Sequence, residues 1–358
     1  MIPNGPGFSP QPKGGRDADL DVARLTPSPP VTAPEAAEAI QACFGLSGEL
    51  TRLPGEADDN FLLDTGDEQR YVVKFAHLRA DPAVVDVQTR VLKHIASAAD
   101  ELPVPRVLPA ISGESWTMVP DGPLAGRVVH ALSYLDGAML RSVSTDAPLR
   151  RALGGTLAEL GRALRGFDDP LVHRPLLWDL AQLPRLRSLV AERPPDPEIE
   201  EPFGRLAATL PPRLAGQRTQ LVHNDFSPDN TLITADGRRV AGIIDFGDVT
   251  VTALVNDVAI AVANLLTDDA DPFGPALDFI VGYHAATPLT PAELDLLPDL
   301  ILGRVVARII ISEWRAERFP ENRAYVLRNT PGAWQQLHRL LSIRNEQTAA
   351  RIQEATRA

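Results

Sequence analysis

A carboxylate at Asp225, an amide at Asn230 and a second carboxylate at Asp245 are the residues of this chain whose types and spacing could do chemistry together. They lie in Val222-His223-Asn224-Asp225-Phe226-Ser227-Pro228-Asp229-Asn230 and in Ile244-Asp245-Phe246-Gly247-Asp248. One carboxylate points a base at a hydroxyl. An amide oxygen and the other carboxylate are the hard ligands that Mg²⁺ accepts, with waters and phosphate oxygens completing its shell. Together they would hold a magnesium-bound nucleotide beside an alcohol.

The elements that must position them are two apolar, β-branched runs, Thr231-Leu232-Ile233-Thr234 and Val240-Ala241-Gly242-Ile243-Ile244. The Asp236-Gly237 pair between them is a hairpin turn signal. Asn230 stands before the first strand and Asp245 after the second, and paired strands lie about 5 Å apart, so the open end of the hairpin brings the two side chains together. Asp245 leaves a strand that is apolar on both faces, where a charge is costly unless an ion or a donor pairs with it.

Each residue alone has an ordinary explanation. Asp or Asn beside a hairpin is usually a turn or cap residue, and a His two residues from an Asp is usually a structural hydrogen-bonder. A metallohydrolase would need further His and Asp ligands at ordered spacing, and the chain has seven His and no second His-rich motif.

The combined motif, His223-x-Asp225-x-x-x-x-Asn230 followed by Ile244-Asp245-Phe246-Gly247-Asp248, resembles the aminoglycoside phosphotransferase and choline kinase superfamily. That resemblance implies an α+β, protein-kinase-like bilobal fold: an antiparallel β-sheet N-lobe with one main helix, and a mostly helical C-lobe. It implies Asp225 as catalytic base, Asn230 and Asp245 as metal ligands with Asp248 assisting, and His223 as support. Asp257, in Asp257-Val258-Ala259, matches an Asp of that family that is mostly structural. The implied cofactors are Mg²⁺ and ATP or GTP as phosphoryl donor.

Upstream, Leu53-Pro54-Gly55-Glu56, Asn60-Phe61-Leu62-Leu63-Asp64, the turn Thr65-Gly66-Asp67 and Arg70-Tyr71-Val72-Val73-Lys74-Phe75 read as a nucleotide-clamping lobe. Lys74, late in an apolar strand, is the expected phosphate-directed lysine. With no G-x-G-x-x-G and no Walker motif, cradling falls to backbone amides around Asp58-Asp59-Asn60. Residues 83–99 have helical spacing, with Val84, Val87, Val91, Leu92 and Ile95 on one face. The kinase-like pattern places a Glu there to pair with the lysine; this helix has none, and Gln88 is the best-placed substitute.

Arg304 to Arg308, Phe319 to Tyr325, Ala333 to Leu337, Trp178-Asp179-Leu180 and the segment from Asp81 to Thr89 make residues 45–342 similar to the hydroxylysine kinase branch, which commonly carries Gln on the clamp helix. A hydroxy-amino acid brings a carboxylate and one or two ammonium groups. Arg304, in an otherwise apolar helix, is the candidate carboxylate fork, with Arg308 one turn on as a weaker one. Trp178 and Asp179 are candidates to face a cationic end. An aminoglycoside, homoserine or another amino alcohol stays open as acceptor, as does an inactive nucleotide-binding regulator.

The chain has 358 residues, enough for two lobes and a cleft. A net charge of -12 without a basic cluster argues against nucleic acid and against an anionic membrane surface. A single cysteine, Cys43, excludes an intrachain disulfide and fits a reducing cytoplasm; it reads as a packed small side chain. No run approaches a transmembrane span. Residues 1–34, with eight prolines, read as a disordered tail, residues 35–136 as the clamping lobe and residues 137–358 as the helical lobe. The strand from Val128 to Leu135 ends at Tyr134-Leu135-Asp136-Gly137, the expected hinge, its backbone facing the nucleotide base. Pro-rich 193–197 and acidic 268–272 are loops of the second lobe. Leu149, Leu153, Leu157, Leu160 and Leu164 form one helical stripe. Oligomeric state is not legible.

Overall fold

A computed structural model describes residues 28–55, 57–66, 69–267, 271–320 and 323–357. Residues 1–27 of the expected tail, and 268–270 of the acidic loop, lie outside the described residues. Residues 31–34 already belong to the folded body: Val31 is buried, and Thr32 and Glu35 form a reciprocal capping box that starts α1 (Ala33–Phe44).

The N-terminal lobe is an antiparallel sheet of β1 (Glu49–Leu53), β2 (Asp59–Asp64), β3 (Arg70–Phe75), β4 (Val107–Leu108), β5 (Thr117–Met118) and β6 (Val128–Ser133), in the order β1-β2-β3-β6-β4 with β5 also on β6. Strand alternation sorts its residues. Phe61, Leu63, Val73, Phe75, Val129 and Ala131 point to one face and pack under α1 with Ile40, Phe44 and Cys43, which is buried as expected. The opposite face carries one cross-strand row, because Lys74 pairs in register with Asn60 on β2 and with His130 on β6. The helix α2 (Pro82–Ala98) is started by the Asp81 side chain, which accepts from Ala83 N, and by Pro82 in its first turn. Its apolar face, Val87, Val91, Leu92 and Ile95, joins the core of the second lobe.

The strand β6 ends two residues before its expected limit, and the chain crosses between lobes at 134–137. Arg70 fixes this crossing: its guanidinium lies 4.7 Å from the Tyr134 ring centroid and donates to both Asp136 oxygens at 2.6 Å. Tyr134 N donates to Arg70 O at 2.9 Å. Gly137, at φ 156°, then lets β7 (Ala138–Met139) join the edge of the hairpin that follows Asn230, where a Cβ would lie 2.9 Å from Ile233 O.

The second lobe contains α3 (Ala147–Ala163), α4 (Arg187–Ala191), α5 (Pro197–Leu214), the strands β8 (Thr219–Val222), β9 (Thr231–Ile233), β10 (Val240–Ile243) and β11 (Thr250–Ala253), then α6 (Leu254–Ala263), α7 (Gly274–Ala286), α8 (Pro291–Arg318), α9 (Arg323–Val326), α10 (Thr330–Ser342) and α11 (Asn345–Arg357). The leucine stripe of α3 is buried in full. Gly154 and Gly282 let α3 and α7 touch backbone to backbone: a Cβ on either would lie 2.0 Å from a carbonyl oxygen of the other helix. Every residue of α6 is buried, so its apolar run is a core helix. Thr290 and Glu293 cap α8, which carries Arg304 through the interior. Among the described residues no helix is long and apolar enough to cross a membrane.

Candidate active site

The hairpin forms as its turn signal requires. Asp236 accepts from Arg238 N at 3.1 Å, Gly237 sits at φ 71°, and β9 and β10 pair antiparallel with one irregularity between Val240 and Gly242. At the open end Ile244 N donates to Asn230 O at 2.9 Å. Asn230 and Asp245 therefore leave the ladder side by side, on adjoining strands.

Asn224 and Asp245 are the non-glycine residues with positive φ among those described, each at 64°. A left-handed backbone costs such a residue on the order of 1 kcal/mol. Asn224 turns the chain so that Asp225 leaves the buried strand end, and Asp245 turns its carboxylate out of β10 to about half exposure. Their neighbours hold these turns in place. Asp257, on α6, accepts from Asn224 N at 2.8 Å and His223 N at 3.2 Å. Burial pushes its carboxyl above the usual carboxylate range, with His223 and the two amides pulling the other way. His223 is fully buried, accepts from Asp225 N at 3.3 Å through Nδ1 and lies 3.1 Å from Ile244 O through Nε2. That pattern is satisfied by the neutral ring protonated on Nε2, and burial depresses its pKa accordingly. A single ring thus ties the Asp225 loop to the end of β10.

Asp225 uses both oxygens. Oδ2 accepts from Asn230 Nδ2 at 2.6 Å, and Oδ1 accepts from Arg304 Nη2 at 3.1 Å. Arg304 is 6% exposed, donates to Trp178 O at 3.2 Å and stacks over the Trp178 ring at 5.1 Å. The expected carboxylate fork is thus already engaged on the loop carboxylate. Pairing with an acidic neighbour is the alternative to substrate contact for an arginine in this position, and the buried guanidinium makes that pair here. The reading of Asp179 is corrected. It is 5% exposed, caps the 3₁₀ turn after Trp178 by accepting from Ala181 N at 3.1 Å, and takes a further bond from Thr252 Oγ1 at 2.9 Å. Burial raises its pKa, and it faces these donors rather than a cleft.

The N-terminal lobe reaches the same place. Lys74 Nζ lies 3.9 Å from Asp245 Oδ1. Gln88 reaches the turn after β10: its Nε2 is 3.7 Å from the point where a Cβ on Gly247 would stand. Asp86, on the same helix, is turned away to Arg90 Nε and Trp116 Nε1. Asp248 follows in the turn, half-buried, and Arg174 steadies it by donating to Gly247 O at 2.9 Å. Asn60 donates to Pro54 O at 3.1 Å, tying down the preceding loop, while its Oδ1 is buried without a partner. Leu135 packs against Gly242, where a Cβ would come within 3.0 Å of it.

Two residues escaped the sequence reading. His130, two per cent exposed, stands beside Lys74 with Nδ1 unpartnered. Burial, helped by the lysine, pushes its pKa down to about 4. A histidine inside the apolar run Val128-Val129-His130-Ala131-Leu132 was the available signal. Asn224 is the other, fully buried with both amide atoms unpartnered.

The donor set fits a hard divalent ion. The Asn230 amide nitrogen is committed to Asp225, which turns its oxygen the other way, and Asp245 presents a half-exposed carboxylate with one oxygen 3.2 Å from Gly247 N. One amide and one carboxylate make an incomplete shell, of the kind that Mg²⁺ fills with water and phosphate oxygens.

The sequence profile of the phosphotransferase enzyme family matches residues 49–297. Hydroxylysine kinase of Mus musculus is 23% identical over 348 residues, 90% of this chain and 92% of that one. Homoserine kinase of Agrobacterium fabrum is 28% identical over 273 residues, 72% and 78% of the two chains. The solved structure of a microcompartment-associated aminopropanol kinase superposes with a TM-score of 0.69 at 20% identity, covering 87% of this chain and 98% of that one. The chain belongs to the phosphotransferase enzyme family, as a small-molecule kinase of protein-kinase-like fold that acts on alcohol groups.

Proposed function

We propose that the chain transfers the γ-phosphoryl group of Mg²⁺-ATP or Mg²⁺-GTP to the hydroxyl of a small amine-bearing acceptor, 5-hydroxylysine or a similar hydroxy-amino acid. The observation that carries this is the convergence of Asp225, Asn230 and Asp245 at one end of the hairpin, with Lys74 reaching the same point from the other lobe. Asn230 and Asp245 would hold the ion, which when bound would offset negative charge on the phosphates. Lys74 adds a cation on the phosphate side. Asp225 orients the acceptor hydroxyl and takes its proton as the oxygen bonds to phosphorus and the nucleoside diphosphate leaves. Arg304 and Asn230 hold that carboxylate in one orientation, and the rate comes mainly from positioning and charge stabilisation. The relatives named for hydroxylysine and homoserine support an acceptor with an amine and an alcohol. The test is transfer of γ-³²P from each nucleotide to a panel of hydroxy-amino acids, amino alcohols and aminoglycosides. Labelling of a hydroxy-amino acid above the rest is expected, and a panel with no labelled product overturns the assignment.

A further inference from the structure

We infer that Arg308 seats a carboxylate of the acceptor and so selects hydroxy-amino acids over amino alcohols that lack the acid. This rests on the phosphotransferase reading of the Asp225 site and adds to it the residue that discriminates between acceptors.

Arg304 and Arg308 lie one turn apart on α8, on the same side of the helix. Between them they have a single carboxylate within ion-pair distance among the described residues, Asp225, and Arg304 occupies it. Arg308 has neutral partners instead: Nη1 donates to Asn264 Oδ1 at 3.1 Å, and Nη2 donates to Gln336 Oε1. Its Nε is buried without any partner. A guanidinium in the interior beside a second guanidinium is costly until an anion reaches it, and burial together with Arg304 lowers its pKa to about 10. The missing counter-charge is supplied by a ligand.

Position points to the acceptor as that ligand. Asn264, the partner of Arg308, stands next to Phe226, Ser227 and Pro228, the residues that follow Asp225, across a void no larger than one water. Arg308 keeps some exposure where Arg304 has almost none, so it is the member of the pair that a solute can reach. A guanidinium matches a carboxylate as a planar fork. One helical turn, about 6 Å along the axis, separates the two arginines. A chain with its carboxylate at Arg308 therefore carries its hydroxyl toward the carboxylate that Arg304 holds. An ammonium-bearing alcohol without the acid would leave Arg308 as uncompensated as before.

Matched acceptors test this on the full chain: L-homoserine against 3-aminopropan-1-ol, and 5-hydroxylysine against its decarboxylated diamine, with saturating Mg²⁺-nucleotide. Wild type should favour the acid-bearing member of at least one pair by about 30-fold in kcat/KM, carried by KM, as for one charge-assisted contact. Arg308→Gln should abolish that preference by raising KM for the acid-bearing member, and Arg308→Lys should restore part of it. Should Arg308→Gln not fold, the wild-type preference and the lysine variant decide the matter. Equal use of both members by wild type, or an equal loss for both members in Arg308→Gln, overturns the carboxylate seat and leaves the phosphotransferase reading standing. Absence of transfer to every acceptor, with nucleotide demonstrably bound, overturns both.

Discussion

Replacing Asp225 by Asn keeps the shape and removes the charge, and the surrounding bonds say what that does. The carboxylate accepts from Asn230 Nδ2 at 2.6 Å on one oxygen and from Arg304 Nη2 at 3.1 Å on the other. An asparagine offers one acceptor and one donor there, so one contact must become donor against donor. If its oxygen stays on Arg304, the Asn230 amide has to rotate and gives up the orientation proposed for the ion. If its oxygen stays on Asn230, the buried Arg304 faces an N–H. Either arrangement forfeits one charge-assisted bond worth about 1.5–3 kcal/mol; the Asp225 side chain is 30% exposed, which brings the expected cost to about 1–2 kcal/mol. For a chain of 358 residues, whose unfolding entropy is about 0.75 kcal/mol/K, that lowers Tm by roughly 1–3 °C. Loss of the base should cut kcat by roughly 10²–10⁴, while the nucleotide dissociation constant changes by less than about tenfold. Coupled detection of nucleoside diphosphate release, titration calorimetry and thermal melts measure the three quantities. A kcat within threefold of wild type, alongside the expected fall in Tm, refutes the chemical role and leaves Asp225 a structural anchor.

Three further perturbations separate the remaining ideas. Lys74→Met removes a cation whose ion-pair contact is Asp245 at 3.9 Å, so Tm should move by less than about 3 °C while nucleotide KM rises and kcat falls, each by about tenfold or more; unchanged nucleotide kinetics would contradict the clamp. His130 has a folded pKa of about 4 against an unfolded 6.5, so the unfolded chain binds the extra proton between those values and stability drains away as pH falls from 6.5 toward 4, by about 3 kcal/mol. Denaturant titrations of His130→Leu should show a shallower acid loss than wild type by about that amount; Asp179 and Asp257, whose raised values act with the opposite sign, are common to both proteins. Gly154→Ala puts a methyl 2.0 Å from the Phe279 carbonyl oxygen, which should cost about 1–3 kcal/mol by forcing α3 and α7 apart; a melt unchanged within 1 °C would show that the two helices separate freely.

What could be read from the sequence was whatever is encoded locally. The Asp236-Gly237 turn and its flanking apolar runs announce the hairpin, and the hairpin alone brings Asn230 next to Asp245. The leucine period of α3 announces a buried helix. What escaped depends on partners distant in sequence. Arg304 looked available because its flanking helix residues, Leu300, Ile301, Leu302, Val305 and Val306, are apolar, yet Asp225 reaches it across 79 positions. Asp179 looked like half of a recognition pair with Trp178, but Thr252 and Asn256 had to arrive before its role as a buried cap was visible. His130 acquires meaning through register with Lys74, 56 residues earlier. The left-handed turns at Asn224 and Asp245 leave no trace in residue type that separates them from ordinary asparagine and aspartate.

Arg70 and Lys74 occupy opposite ends of one strand, and Arg70 is fastened to the interlobe crossing through Tyr134 and Asp136. The strand is thereby a lever with its pivot at the crossing and its charged tip about 14 Å away, at roughly 3.4 Å per residue. A rotation of the upper lobe by about 10° about that pivot sweeps the ammonium through about 2 Å, enough to part it from Asp245 without disturbing any bond within the sheet. An opening of the cleft about that pivot would carry Lys74 away from Asp245 in the same movement.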